Sequence, residues 1–419
     1  MRVSRSLHIP APQGHAVHAV GQCYTDATGR RLVESVVHHA FDGHYYFTAR
    51  AYRRFSDDNG RSWTAAGPVF SAHPEREESG ECTPPRHFLD GSRNALLAVY
   101  SQWRIRTTEP QFASNTADRS YRIFYEISRD GARAWEPGRQ VVHHGAGYDE
   151  THWLPGITHG RNGAYAESCA PVALDDGTIV FGIVIAPLDA TGSLYRPYGG
   201  YWYEVAFLRG LWRRNGSALD WEVGGRIRVP PEVSSVGCCE PDLLHLGGSR
   251  LFSTMRCQGI ADKGVYSSRR CCLSNDGGLT WTEPKPLAYE DGSPVWVPAS
   301  YSAFLRSPRT GRAYWFANIL DQPVYAQYPR YPLAVAEFDV ERLCILRKTV
   351  QVVQGLPEGA PPCTSALPRT DEECGRQYTN FGHYVDRETG EFVLTMPEMP
   401  KVSWKDFTAD CIQFRIAEQ

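Results

Sequence analysis

An eight-residue segment recurs along the chain, and no other feature of the sequence restricts its fold as tightly. Ser56-Asp57-Asp58-Asn59-Gly60-Arg61-Ser62-Trp63 returns as Ser274-Asn275-Asp276-Gly277-Gly278-Leu279-Thr280-Trp281. A worn copy is Ser128-Arg129-Asp130-Gly131-Ala132-Arg133-Ala134-Trp135. The shared template is S-x-D-x-G-x-[ST]-W. Starts at 56, 128 and 274 differ by 72 and by 146, which is twice 73, so a unit of about 72 residues fits not quite six times into 419.

A second pattern gives the same number. A turn glycine followed by an apolar run occurs at Asp42-Gly43, Asp90-Gly91, Asp176-Gly177, Gly247-Gly248, Thr310-Gly311 and Thr389-Gly390. Glycine adopts the positive φ that such tight turns require, so each pair of flanking runs reads as a β-hairpin. Between hairpins stands the repeat or a remnant of it, Asp220-Trp221 and Glu337-Phe338-Asp339-Val340-Glu341-Arg342-Leu343-Cys344. Helical periodicity is absent. The spacing predicts an all-β chain, a six-bladed β-propeller of four-stranded antiparallel blades whose radial closure protects the strand edges. Residues 1–419 read as a single propeller domain, with a Pro-rich, acidic loop insertion around 357–375 and a second at 107–120.

Composition narrows the partners. Hydrophobic residues make up 42% and charged residues 22%, which excludes a disordered chain. Lys+Arg minus Asp+Glu is 44 − 47 = −3, so no global field attracts nucleic acid or an anionic membrane. The longest apolar run, Ile179 to Ala186, is too short to cross a bilayer, and the first ten residues lack the apolar core of a signal peptide. Twelve cysteines are spread thinly, two pairs are vicinal, and no C-x-x-C occurs. A cytoplasmic protein with reduced thiols is expected. Adjacent histidines in His38-His39 and His143-His144 point to opposite faces of a strand, so no metal or other cofactor is expected.

The repeat resembles the Asp box of the sialidase superfamily of propellers. In that motif the Asp side chain ties up turn amides, and Trp packs between sheets, so Asp58, Asp130 and Asp276 are expected to be structural. The candidate site lies instead upstream of the hairpin turns, where Glu34, the Pro84-Pro85-Arg86 stretch, Glu167, Glu240-Pro241, Tyr301 and Tyr378 stand. The stretch from Cys239 to Arg256 is similar to one in which a Glu precedes an Arg by about sixteen residues. The resemblance implies Glu240 as base and Arg256 as a grip on a substrate carboxylate. It implies Arg330 as a second carboxylate-binding arginine and Tyr378 as the nucleophile.

Such chemistry suits a sialic acid, whose carboxylate sits on the anomeric carbon. A neutral tyrosine deprotonated by a neighbouring Glu attacks that carbon without the like-charge repulsion a carboxylate would meet. Arginines bind the carboxylate bidentately. The family's Phe/Tyr-Arg-Ile-Pro element at the opening of blade 1 is missing. Arg31 is its candidate substitute, and Glu34 stands nearer the expected position and is a candidate general acid. Tyr301 and Glu167 complete the expected substrate contacts. The expectation is an exo-acting, retaining glycosidase on a sialic acid or related acidic sugar, with an oligosaccharide or glycoconjugate as partner. Two alternatives stay open: a lyase or hydrolase acting on uronic-acid or other oligosaccharides, and a carbohydrate-binding propeller without catalysis.

Overall fold

The computed structural model describes residues 1–41, 46–68, 81–106, 118–166, 170–360, 376–399 and 408–418, which fold into six antiparallel sheets. These are the blades of a six-bladed β-propeller. Much of each expected insertion, residues 361–375 and 107–117, lies outside the described residues, as do the turn 42–45 and Glu167.

The chain divides into two compact units, one of Met1–Ser71, Gln258–Arg269 and Pro286–Gln419, the other of Ala72–Cys257 and Arg270–Lys285. In the first unit, blade 1 is built in order from His15–Tyr24, Leu32–Phe41, Tyr46–Ser56 and Gly67–Pro68. Blade 5 runs Ala303–Arg306, Ala313–Asn318 and Leu333–Asp339, with two short edge strands beyond. Blade 6 runs Gly382–Val385, Phe392–Pro397 and Cys411–Ala417, and its fourth strand is the N-terminal Arg2–Ile9. The second unit carries blade 2 around Ala95–Arg106, blade 3 around Ile179–Ile185, and most of blade 4, which opens with Cys239–Gly247 and Arg250–Cys257.

Packing follows the apolar runs. Ile179–Ile185 is buried at every position, as a strand covered on both faces must be. Its Gly182 leaves room for Pro241 of blade 4, because a Cβ there would lie 2.5 Å from the proline Cγ. In the first unit Phe316, Tyr378, Phe392 and Phe414 belong to one buried cluster.

The repeat behaves as its residues dictate. Asp58 Oδ1 accepts the amides of Arg61 and Ser62 at 3.1 and 2.8 Å, and Ser56 Oγ accepts that of Gly60 at 2.8 Å. Asp276 accepts the Thr280 amide at 2.9 Å, and Asp130 accepts those of Arg133 and Ala134 at 3.0 and 2.9 Å. Hydrogen bonds from Ser62 and Ser56 hold the Asp58 carboxyl down to about 2. Trp281 packs its ring 4.4 Å from that of Phe207. The remnant at 337–344 keeps the same logic, with Asp339 Oδ1 accepting the amides of Glu341 and Arg342.

Blade 1 departs from the expected hairpin register. In the other five blades the turn glycine joins the first long strand to the next, whereas Asp42-Gly43 lies between the second and third strands. The first turn of blade 1 is at 25–31, where Asp26 Oδ1 accepts the amides of Thr28 and Gly29. Cys238, Cys271, Cys272, Cys344 and Cys411 are free thiols, and burial pushes that of Cys271 up to about 11. His38 packs against His15 and Tyr52, and His39 against His18. Among the described residues no cluster of His, Cys, Asp or Glu is placed to hold a metal, and no helix is long and apolar enough to cross a membrane.

Candidate functional site

Tyr378 precedes the first strand of blade 6, and the end of the second strand brings Glu398 alongside it. The tyrosine hydroxyl donates to Glu398 Oε1 at 3.2 Å. Two arginines hold the same carboxylate, Arg376 at 2.7 Å on Oε1 and Arg5 at 2.7 Å on Oε2. Burial pushes the Tyr378 hydroxyl up to about 12, the Glu398 charge adds to the rise, and Arg376 opposes it. A hydroxyl so reluctant to ionise becomes a nucleophile only with a base in contact, and Glu398 is in contact.

Backbone bonds fix this constellation. The Tyr378 amide donates to the Arg330 carbonyl at 2.9 Å. Buried Asn318, closing the second strand of blade 5, donates to the carbonyls of Tyr378 and Pro332 at 3.0 and 3.2 Å. The Arg330 side chain turns to Gln327, donating to its carbonyl at 3.2 Å and its amide oxygen at 3.0 Å, with the guanidinium 5.2 Å over the Tyr328 ring. Tyr301 sits in the core, its ring 4.8 Å edge-on from Phe381.

In the second unit, Glu240 and Arg256 form an ion pair whose side chains are 10% and 13% exposed. Glu240 has a φ of +46°, a left-handed conformation that strains a residue with a Cβ, within a bulge between Cys239 and Asp242. Cys239 pairs with Arg256 across the hairpin, and this brings guanidinium and carboxylate together. Backbone strain of this kind is found at functional positions and needs support from its surroundings.

Glu34 and Arg31 need correction. Glu34 is fully buried on the second strand of blade 1, and it accepts from Arg54 Nε at 2.5 Å and Gln22 Nε2 at 3.1 Å, with His8 Nε2 at 3.1 Å. Burial raises its carboxyl, but the bonds and charges of His8 and Arg54 outweigh this and hold it below the ordinary value. Sealed from solvent and bonded to three partners, Glu34 is placed as a structural anion rather than as a general acid within reach of a substrate. Arg31 closes the turn after the first strand, pairing with Asp57 of the repeat at 3.1 Å. Both errors follow from aligning blade 1 on Gly43, which belongs to a different pair of strands.

Sequence reasoning missed Glu398, Arg376 and Arg5. His8 is committed to Glu34, and Arg5, three residues earlier, reaches Glu398.

No family model matches the chain, and no curated protein matches it in sequence. Its fold is similar to that of Trypanosoma rangeli sialidase in complex with the inhibitor DANA, at 13% identity and a TM-score of 0.60, covering 99% of this chain and 59% of that one. It is also similar to the K499G mutant of NanB sialidase from Streptococcus pneumoniae, at 11% identity, TM-score 0.58, 97% of this chain and 70% of that one. The Hadza microbial sialidase Hz136 matches at 10% identity, TM-score 0.56, 94% of this chain and 65% of that one. This chain thus spans about three fifths of the Trypanosoma enzyme's length. The architecture, over nearly the whole of this chain, is the six-bladed propeller of the sialidases.

Proposed function

We propose that this propeller is a retaining glycoside hydrolase acting on a terminal sugar that carries a carboxylate, a sialic acid or a related acid, with Tyr378 as nucleophile. The observation that carries this reading is the Tyr378 hydroxyl donating to Glu398 beside Arg376 and Arg5. Glu398 takes the hydroxyl proton as the phenolate oxygen attacks the anomeric carbon and the leaving-group oxygen departs with the bonding pair; water then attacks the same carbon, protonating the departed oxygen, and the released Tyr378 recovers its proton from Glu398. Arg376 and Arg5 each keep guanidinium N–H groups beyond those given to Glu398, enough to receive a substrate carboxylate. Arg330 is a further candidate for that grip. The sialidases of similar fold support the substrate class by analogy alone.

One observation favours a second reading, a sugar-binding propeller without turnover: Tyr378 is only 1% exposed. Assays with aryl glycosides of sialic acid, uronic acids and neutral sugars separate the two. Release of aryl alcohol from the acidic glycosides, abolished by Tyr378→Phe, supports the hydrolase. Binding of the same sugars with no release from any of them supports the second reading.

A further inference from the structure

The second unit holds a cavity of about 610 Å³ outside the residues discussed above. One wall is the segment after blade 2, with His143, His144 and Tyr148, and the other is the turn and last strand of blade 3, with Arg213 and Asp220. Neither wall is loosely held. The blade 3 turn is fixed by two arginines of blade 2, Arg129 donating to the Gly216 carbonyl at 2.6 Å and Arg139 to the Ser217 carbonyl at 2.7 Å. The opposite wall is tied on by the His144 amide, which donates to the Trp221 carbonyl at 2.6 Å.

The polar groups are set for recognition. His143 Nδ1 accepts the Val223 amide at 3.1 Å, which assigns the ring proton to Nε2 and makes that nitrogen a donor. Burial holds the ring's pKa below the ordinary value, so the donor is neutral. Tyr148 stacks flat on His152, with centroids 5.2 Å apart, and meets His143 edge-on at 4.6 Å. The segment carrying it turns on Gly145 and Gly147, at φ +144° and +96°. Arg213 pairs with Asp220 at 2.8 Å and Arg139 with Glu136 at 2.9 Å, both arginines are about half exposed, and each guanidinium has more N–H donors than its ion pair uses. Buried Trp221 stands in the same wall, and its indole N–H has no acceptor among the described residues.

Around the cavity Arg129, Arg139 and Arg213 share only two carboxylates, Glu136 and Asp220, so one positive charge is left over and favours an anion. A flat aromatic ring, a fixed imidazole donor and a carboxylate acceptor match the apolar face and hydroxyls of a pyranose. A volume of this size admits one or two sugar units. We infer that this cavity binds a carboxylate-bearing saccharide unit, either free or at the end of a glycan, separately from the residues around Tyr378.

The test is calorimetric titration of the full chain with N-acetylneuraminic acid, glucuronic acid and glucose, repeated with an oligosaccharide ending in the tighter acid. Every titration is also run in a Tyr378→Phe, Arg376→Ala background. Saturable binding of an acid, absent for glucose and kept in that background, is expected. Tyr148→Ala should weaken it tenfold or more. His143→Ala should weaken it about fivefold, the loss of one hydrogen bond, and His143→Gln should restore part of this. Equal affinity for the free acid and the oligosaccharide means the cavity reads the acid alone, and tighter binding of the oligosaccharide means it reads a glycan end. Turnover on small aryl glycosides should be unchanged in the Tyr148 and His143 variants. The inference is overturned if no acid binds in the Tyr378→Phe, Arg376→Ala background, if glucose binds equally, or if the Tyr148 and His143 variants, shown to be folded by thermal melting, bind as the parent does. None of these results decides whether Tyr378 is a nucleophile.

Discussion

Glu34 and Glu398 belong to the same compact unit, and each is held by arginine, yet their surroundings differ in two respects. Glu34 is sealed, with Arg54, His8 and Gln22 filling its hydrogen-bonding capacity. Glu398 is 16% exposed, and one of its partners is a tyrosine with a proton to give up. A carboxylate sealed from solvent and fully bonded has no substrate within reach, so its effect is on stability. A carboxylate beside an acidic hydroxyl can change protonation state during a reaction. The comparison teaches that a Glu–Arg pair by itself says little about function, and that the third group decides.

The sharpest way to break this contrast is to remove the third group. Tyr378→Phe keeps the ring and deletes the hydroxyl, and we expect turnover on an acidic aryl glycoside to fall at least ~10⁴-fold, about 5.5 kcal/mol of barrier. Glu398→Gln should fall by a comparable factor, because Tyr378 then has no base. Steady-state kinetics on both variants, with melting curves to show that each is folded, checks the expectation. Parent-like turnover in Tyr378→Phe would remove the nucleophile assignment.

At Glu34 the expected loss is of a different kind. Glu34→Ala strands Arg54 and His8 in a buried site, and breaking a buried pair in this way costs about 3 to 5 kcal/mol of folding stability. Urea denaturation measures it. The same site predicts a pH effect whose sign follows from its depressed pKa. Stability from such a group is fully present above the unfolded-state pKa of about 4.3 and is lost as pH falls through the lower folded-state value. Melting temperature should therefore drop more steeply below about pH 4.3 in the parent than in Glu34→Gln, which has no proton to bind there. The depressed carboxyls of the repeat, Asp58 among them, contribute equally to both proteins and cancel in the difference.

These two carboxylates also mark what the sequence could and could not reveal. The repeat was legible because the turn bonds of its Ser and Asp close within eight residues, so a short string of letters contains both donor and acceptor. The six hairpins were legible for the same reason. Glu398 was not, since Arg5 lies 393 positions away and only closure of blade 6 by the N-terminal strand brings the two together. Glu34 looked like a site residue because a polar side chain preceded a turn glycine. The sequence does not say which pair of strands that glycine joins. Tyr301 was chosen on the same reasoning, and the structure packs it against Phe381. Glu240 and Arg256 stood out through a resemblance in their spacing, as a base and a substrate grip, whereas neither their ion pair nor the strain at Glu240 could be read there.

The smallest effect lies within the repeat, where its three copies can be compared at one position. Gly60, Ala132 and Gly278 have φ values of +82°, +65° and +91°, so the worn copy puts a Cβ where the other two have none. An L-residue in this region costs roughly 1 to 2 kcal/mol, and a glycine's extra freedom when unfolded offsets roughly 0.5 to 1 of that. Ala132→Gly should therefore stabilise the protein by several tenths of a kcal/mol, read as a shift in urea midpoint at unchanged slope. The reverse changes should separate backbone strain from crowding. At Gly278 the nearest atom to a new Cβ is 3.6 Å away, so Gly278→Ala carries the dihedral cost alone. At Gly60 the Tyr384 hydroxyl would lie 2.6 Å from it, so Gly60→Ala adds a clash and should destabilise more. If Ala132→Gly instead lowers stability, the methyl contributes packing that outweighs its strain, and the worn copy is adapted to its place rather than decayed.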